Sequence, residues 1–270
     1  MKTIPLIDLL DDLFPEIPRK ELYARVMCGE VFSGDECIKD PRQPVKPSKN
    51  ISFGEKPYVS RGGMKLEAAL RTWDLPVQGK KFLDAGSSTG GFTDCLLKHG
   101  VRLVHAVDVG YNQLDYRLRR DDRVLVYERT NIMDVRSLDP VPDAAVADLS
   151  FRSIRKAASH IIDLTYEKWM VALVKPQFEH ASRMEKNFTG IVKSEDTLRR
   201  ILSDVVTDLN DEGIIPADVL ASPILGQKGN REFLFLFFKE QCTLPKAKTN
   251  TLEELIETAI ACNPLDAPGN

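Results

Sequence analysis

Apolar residues along this chain fall into short runs, several of which end on a charged residue, and the stretches between them carry helical spacing. Phe82-Leu83 leads into Asp84, Leu103 to Val107 into Asp108, Ala144 to Ala147 into Asp148, and Met170 to Val174 into Lys175. Val124 to Glu128 adds a further strand, and runs near Ala217 to Leu220 and Phe233 to Phe238 complete a predicted sheet. Between them, the segment opened by Ser60 predicts a helix with Leu66, Ala69, Leu70 and Trp73 inward and Lys65 on its first turn. A helix over Thr93 to Lys98 stops before Gly100, and a long helix is predicted from Arg152 to about Tyr166. Ser194 caps a helix running to about Asp211, with Leu198, Ile201, Leu202 and Val205 inside, and Thr251 and Glu254 have capping-box spacing for a terminal helix. Strand and helix alternate, which is the signature of an α/β fold with a mostly parallel sheet.

The first part of the chain is patterned differently. Ile7, Leu10 and Phe14 share a helical face, the Pro15 to Pro18 break follows, and a second short helix is predicted with Leu22, Val26 and Met27 inward and Arg19, Lys20 and Arg25 outward. Two apolar runs around Ser33-Gly34-Asp35 signal a hairpin, and Pro41, Pro44 and Pro47 interleaved with Arg42, Lys46 and Lys49 read as a linker ending near Pro57. The predicted organisation is a small module and linker over 1–57, the α/β domain over 58–240, and a linker (243–250) with a terminal helix over 241–270.

Composition narrows the classes. With 43% hydrophobic and 29% charged residues the chain is that of a soluble globular protein, and its net charge of −3 leaves no global basic field, so a nucleic-acid partner has to be held by a local patch. Five cysteines, an odd number without C-x-x-C spacing, argue against a zinc site and a disulfide framework and point to a reduced, cytoplasmic setting. The apolar run after Met1 is too short for a signal peptide, and Phe233 to Phe238 is far below the roughly 20 residues that span a bilayer.

The candidate chemistry lies at the strand ends. Asp84 is followed by Gly86-Ser87-Ser88-Thr89-Gly90-Gly91-Phe92, a glycine turn into a helix, and Asp108 ends the next strand near the roughly 20-residue offset of a ribose-binding acid. The glycines run G-x-x-x-G-G rather than G-x-G-x-x-G, and carboxylates end both strands. A pyrophosphate cofactor is poorly served by acids there, whereas S-adenosyl-L-methionine, with its ammonium and sulfonium, suits them. Polar groups around Asn131, with Ile132 and Met133 beside them, suit an adenine. A bare strand-to-helix corner without ligand is the plain alternative.

At this point the sequence resembles the TlyA-like proteins, the haemolysin A family, whose catalytic half is an FtsJ-type RNA ribose 2′-O-methyltransferase. The resemblance is carried by Val59 to Leu66, Asp84 to Asp94, Ala106 to Tyr111, Glu128 to Asn131, Asp148 to Phe151, Val174 to Glu179 and Gly229 to Glu232. It implies a Rossmann-like class I methyltransferase sheet and a Lys-Asp-Lys-Glu tetrad at Lys65, Asp148, Lys175 and Glu232. It also implies S-adenosylmethionine over Gly86 to Phe92, with Asp108 at its ribose and Asn131-Ile132 near its adenine. A ribose hydroxyl is a poor nucleophile and needs a base, and a lysine can serve where burial and a neighbouring cation favour its neutral form. Lys65 could supply that cation to Lys175, while carboxylates beside both amines pull the other way.

The N-terminal part resembles the S4 RNA-binding fold, with Pro18 to Ala24 and Gly29 to Gly34 matching its S-R-x-x-A and G-x-V-x-V-N-G pattern in part. Ser33 stands where Asn is usual, and the first helix start lacks an arginine. Arg19, Lys20, Arg25 and Arg61 are the expected RNA contacts. The expected partner is RNA, ribosomal RNA or ribosomal subunits within the family's range, with no membrane. Three alternatives stand beside this: a base amino-methyltransferase, since Asp148 to Phe151 loosely resembles a D-P-P-Y loop, a non-catalytic RNA-binding protein, and a membrane-lytic protein.

Overall fold

The computed structural model describes residues 3–34, 36–38, 40–47, 50–54, 57–150, 152–181, 190–240, 242 and 251–262, so Phe151 and the 243–250 linker lie outside the described residues. The chain divides into two compact units, Met1–Pro57 and Tyr58–Asn270.

In the first unit, β1 (Ile4–Pro5) leads into α1 (Leu6–Leu13), which buries Leu6, Ile7, Leu9 and Leu10. α2 (Arg19–Cys28) buries Leu22 and Val26 and stops at Gly29, whose φ of 67° is the left-handed conformation of a helix C-terminus. β2 (Val31–Ser33) and β3 (Glu36–Ile38) form the hairpin, while β4 (Pro44–Val45) pairs with β1 and β5 (Ser52–Phe53) pairs with β2. Met27 is 57% exposed and not inward as predicted. Leu22 and Val26, four apart, already define the inner face, and one further residue turns the side chain about 100° away from it.

The second unit opens with α3 (Gly62–Trp73), then β6 (Lys81–Ala85), α4 (Gly91–Lys98), β7 (Leu103–Val107), α5 (Tyr116–Arg119), β8 (Val124–Tyr127) and β9 (Ala144–Ala147). It continues through α6 (Ala158–Asp163), β10 (Trp169–Val174), α7 (Pro176–Ala181), α8 (Glu195–Asp211), β11 (Ile214–Ala221), β12 (Phe233–Lys239) and α9 (Leu252–Ala261). The sheet order is β11-β12-β10-β9-β6-β7-β8. β12 runs antiparallel to both neighbours, and the remaining pairs are parallel.

Alternate residues of the same strands feed two cores. Leu83, Ala145, Ala172 and Phe235 pack under α6, α8 and α9, whereas Phe82, Val146, Val171 and Leu234 pack under α3 and α4. Both faces are covered, which is why the strands read as unbroken apolar runs.

The long helix predicted from Arg152 is replaced by a 3-10 turn at Ile154–Lys156 and the short α6. The cause is Glu179, whose buried carboxylate accepts from Ser153 Oγ (2.5 Å) and from the Ile154 amide (2.8 Å) and so pins a bend where the apolar spacing alone would run straight. The apolar pattern does not predict α7, although Pro176 occupies the first helical position that proline favours.

Candidate active site

The sheet reverses its strand order between β6 and β9, and the crevice beyond such a reversal is where ligands bind in open α/β sheets. β6 delivers Asp84, β7 delivers Asp108 and β9 delivers Asp148 to that edge. Asp108 is fixed by accepting from the amides of Ser88 (2.9 Å) and Gly110 (2.6 Å), so one carboxylate orders both neighbouring turns. Asn131 caps the short turn at Ile132 by accepting from the Met133 amide, and His160 holds the Ile132 carbonyl at 2.9 Å.

A cavity of about 440 Å³ opens there. Gly86, Ser88, Asp108, Asn131, Ile132 and Asp148 line it. Beside it a smaller cavity of about 110 Å³ is lined by Lys65, Ser87, Thr89, Gly91 and Phe92, and shares Gly86, Ser88 and Asp148 with the first. Asp84 and Gly90 line neither.

The glycines do more for chain packing than for ligand room. A Cβ at Gly86 would stand 2.6 Å from the Asp148 carbonyl, one at Gly90 (φ 97°) would strike Leu118, and one at Gly91 would strike Ser60. They let β6, β9, α5 and the starts of α3 and α4 approach one another, and the cavity is what remains between them.

Two lysine–carboxylate pairs lie at this place, one buried and one partly open to solvent. Lys65 Nζ donates to Glu232 Oε2 at 2.5 Å, with both side chains nearly inaccessible. Lys175 Nζ lies 2.6 Å from Asp148 Oδ1 and donates to Ser150 Oγ at 3.1 Å. The Lys175–Asp148 contact is close but not aligned as a hydrogen bond, so Oδ1 remains a buried acceptor without a hydrogen-bond partner. Lys65 comes from the first turn of α3 and Glu232 from the start of β12. Asp148 follows β9 and Lys175 follows β10.

Asp84 is fully buried and accepts from Thr93 Oγ1 at 2.6 Å, while its Oδ1 has no partner. Burial pushes its carboxyl up to about 7, against the pull of the Thr93 hydrogen bond and with help from the charges of Asp148 and Asp108. Three carboxylates thus crowd one strand edge, of which only Asp148 has a lysine against it among the described residues, and a positively charged ligand relieves that crowding. The donor set fits an adenosyl group carrying an ammonium and a sulfonium.

Residues 58–239 match the FtsJ-like methyltransferase family. The chain belongs to that family. It is 40% identical to Hemolysin A of Brachyspira hyodysenteriae over 78% of this chain and 90% of that protein. It is 35% identical to the 16S/23S rRNA (cytidine-2′-O)-methyltransferase TlyA of Mycobacterium tuberculosis over 92% of this chain and 97% of that one. A solved structure of a hemolysin-like protein from Streptococcus thermophilus shares 34% identity and a TM-score of 0.69, with 96% of both chains covered. As an FtsJ-like methyltransferase, this enzyme uses S-adenosylmethionine as its methyl donor.

The arginines expected to contact RNA are engaged in the protein itself. Arg19 pairs with Asp8 and Asp11, Arg25 pairs with Glu21 at 2.8 Å and lies over Phe53, and Arg61 donates to the Leu225 carbonyl at 3.1 Å. Lys20 is exposed.

Two features of this FtsJ-like site are not predicted from the sequence pattern. Arg152 lines the larger cavity and reaches Asn131 Oδ1 at 3.4 Å. Tyr111, 64% exposed, lies under the Arg129 guanidinium at 4.0 Å. The signal for the second is an aromatic residue placed beside an arginine-rich stretch.

Among the described residues no helix is long and apolar enough to cross a membrane, and no His, Cys, Asp and Glu cluster could hold a metal ion.

Proposed function

We propose that this protein transfers a methyl group to a ribose 2′-hydroxyl of ribosomal RNA in the cytoplasm, with Lys65, Asp148, Lys175 and Glu232 as its catalytic tetrad. The observation that carries this is one small cavity, beside the larger one, lined by a member of each of two lysine–carboxylate pairs: Lys65 of the buried Lys65–Glu232 pair and Asp148 of the Lys175–Asp148 pair. A base amino group needs hydrogen-bond acceptors to orient it, whereas a ribose hydroxyl needs a proton acceptor, and that role is the one assigned here to Lys175. The TlyA relative, named for cytidine 2′-O-methylation, supports the same choice.

S-adenosylmethionine, when bound, supplies an electrophilic methyl group. Asp108 would hold its ribose and the Asn131-Ile132 turn its adenine, with Gly86 to Phe92 at its amino-acid end. Lys175 first releases its own proton to solvent, which the neighbouring Lys65 cation would favour, and its neutral Nζ then takes the 2′-hydroxyl proton, held in place by Ser150 Oγ and the Asp148 carboxylate. Lys65, neutralised by Glu232, holds the oxygen that becomes the nucleophile. Fixing oxygen and methyl in line supplies much of the rate.

Tyr111 under Arg129, each next in sequence to a cavity-lining residue (Gly110 and Thr130), would offer a stacking surface to an unpaired nucleobase. The 1–57 unit, read as an S4-like module, would meet RNA phosphates through Arg19, Lys20 and Arg25, with phosphates displacing the carboxylates that now pair the two arginines. Ribosomal subunits are the expected form of the substrate. Mapping 2′-O-methylation across ribosomal RNA from cells with and without the protein tests this. Loss of a ribose mark is expected, and loss of a base methyl alone would contradict it.

A further inference from the structure

Arg231 and Glu232 are neighbours at the start of β12, and they reach opposite sides of it. Glu232 goes to Lys65 in α3. Arg231 Nη2 donates to three carbonyls at the C-terminal end of α9, those of Ala259 (3.1 Å), Ile260 (2.6 Å) and Cys262 (3.0 Å). Carbonyls at a helix C-terminus lack intrahelical partners and carry the negative end of the helix dipole, so a guanidinium satisfies them well.

α9 is a capped and well-anchored element. Thr251 and Glu254 form a complete capping box, Ile256, Ala259 and Ile260 are buried against β11 and α8, and Arg199 pairs with Glu257. The loop before β12 is equally tied, since Ser222 N donates to the Glu232 carbonyl at 2.9 Å and Gly226 N to the Asn230 carbonyl at 2.8 Å. A Cβ at Gly226 would run into the Glu232 carboxylate, so the loop has no slack around that side chain.

Arg231 is the link between these parts. Its Nε is buried with no partner among the described residues, and its Nη1 reaches Glu195 only at 4.0 Å. The α9 carbonyls therefore carry most of its hydrogen bonding. Were α9 to move, a half-buried cation would be left unsatisfied, and the start of β12 would have to shift to hydrate it. Glu232 is the next residue and would shift with it.

We propose that the C-terminal helix is a positioning element of the methyl-transfer site and that Arg231 transmits its position to Glu232. This rests on Glu232 belonging to the tetrad proposed above. Arg231 touches no reacting group. It fixes where the carboxylate stands, and through it the Lys65 ammonium. The last stretch of the chain is thereby a working part of an active site whose other members end at β12.

The test compares full-length Arg231→Met, Arg231→Lys, Ile260→Asp and Glu232→Gln for kcat on ribosomal RNA, affinity for S-adenosylmethionine by calorimetry, and melting temperature. Arg231→Met and Ile260→Asp are each expected to lower kcat by roughly 10- to 100-fold, the scale of a sub-ångström to ångström misplacement, with cofactor affinity held within about twofold. The Arg231→Met/Ile260→Asp double variant is expected to be no slower than the slower single, because both break the same link. Arg231→Lys, which can still donate to the helix carbonyls, should recover part of the rate. If Arg231→Met lowers the melting temperature yet keeps parental kcat, or if the two losses multiply, the helix does not act through Arg231. If Glu232→Gln itself keeps full rate, the tetrad assignment has failed instead, whatever Arg231 does.

Discussion

Lys65 and Glu232 are separated by 167 positions in the chain and by 2.5 Å in space, in a pair that water scarcely reaches. Such a pair is costly to half-remove, because the surviving charge is left buried alone. We expect Glu232→Ala to destabilise the protein by about 3–5 kcal/mol and Glu232→Gln by clearly less, since the amide can still accept from the ammonium. Urea unfolding of the two variants checks this. Equal losses would mean that the carboxylate's charge accounts for the whole effect and that the shape and acceptor kept by the amide contribute nothing.

Asp84 gives a pH dependence with a defined sign. Its folded-state value of about 7 lies above the ordinary 3.8. The ionisation cost is therefore absent below about 4, grows as pH rises, and is complete above about 7. Asp84→Asn cannot ionise, so its melting temperature should exceed the parent's by more at pH 8 than at pH 5. A cationic cofactor favours the ionised carboxylate, so the parent should bind S-adenosylmethionine more tightly as pH rises from 6 to 8 with proton release, and the Asn variant should bind weakly with a flatter profile. Calorimetry in buffers of different ionisation enthalpy reads the proton directly.

In the N-terminal unit, Arg19 and Arg25 are already paired with carboxylates. RNA binding through them exchanges one set of anions for another. Alanine at Arg19, Lys20 and Arg25 together should weaken RNA binding and flatten the dependence of log affinity on log salt by just under one unit for each phosphate no longer neutralised. Equal slopes in filter-binding titrations would show that this unit packs without touching RNA.

Tyr111→Ala should raise KM for RNA while leaving cofactor affinity alone, by about 1–3 kcal/mol if a base stacks there. Steady-state kinetics with RNA and cofactor varied separately distinguishes the two.

Much of this site is legible in the chain. Asp84, Asp108, Asp148 and Lys175 each follow an apolar run, and the run boundaries alone place them at one sheet edge. The glycine turn is equally visible, but its physical reason is not: Gly90 makes room for Leu118 and Gly91 for Ser60, neighbours brought there by elements distant in sequence. The same limit explains the bend after Arg152 that the apolar spacing does not show. Ser153 and Ile154 are helix-compatible locally, and only Glu179, arriving from α7, overrides that. Lys65 is visible as a first-turn lysine, but nothing local shows that its counter-charge comes from β12. Long-range polar partners are where one-dimensional periodicity ends.

The central claim, ribose methylation with Lys175 as the proton acceptor, is tested most directly by the product nucleosides of ribosomal RNA treated with S-adenosylmethionine and either the parent enzyme or Lys175→Arg. Arginine keeps the positive charge but, with a pKa above about 12, cannot accept the hydroxyl proton. The parent should yield a 2′-O-methylated nucleoside by mass spectrometry, and Lys175→Arg should bind cofactor normally while forming that product about 10²-fold more slowly or worse. A base-methylated nucleoside from the parent, or near-parental 2′-O-methylation by Lys175→Arg across pH 6 to 9, would contradict the account.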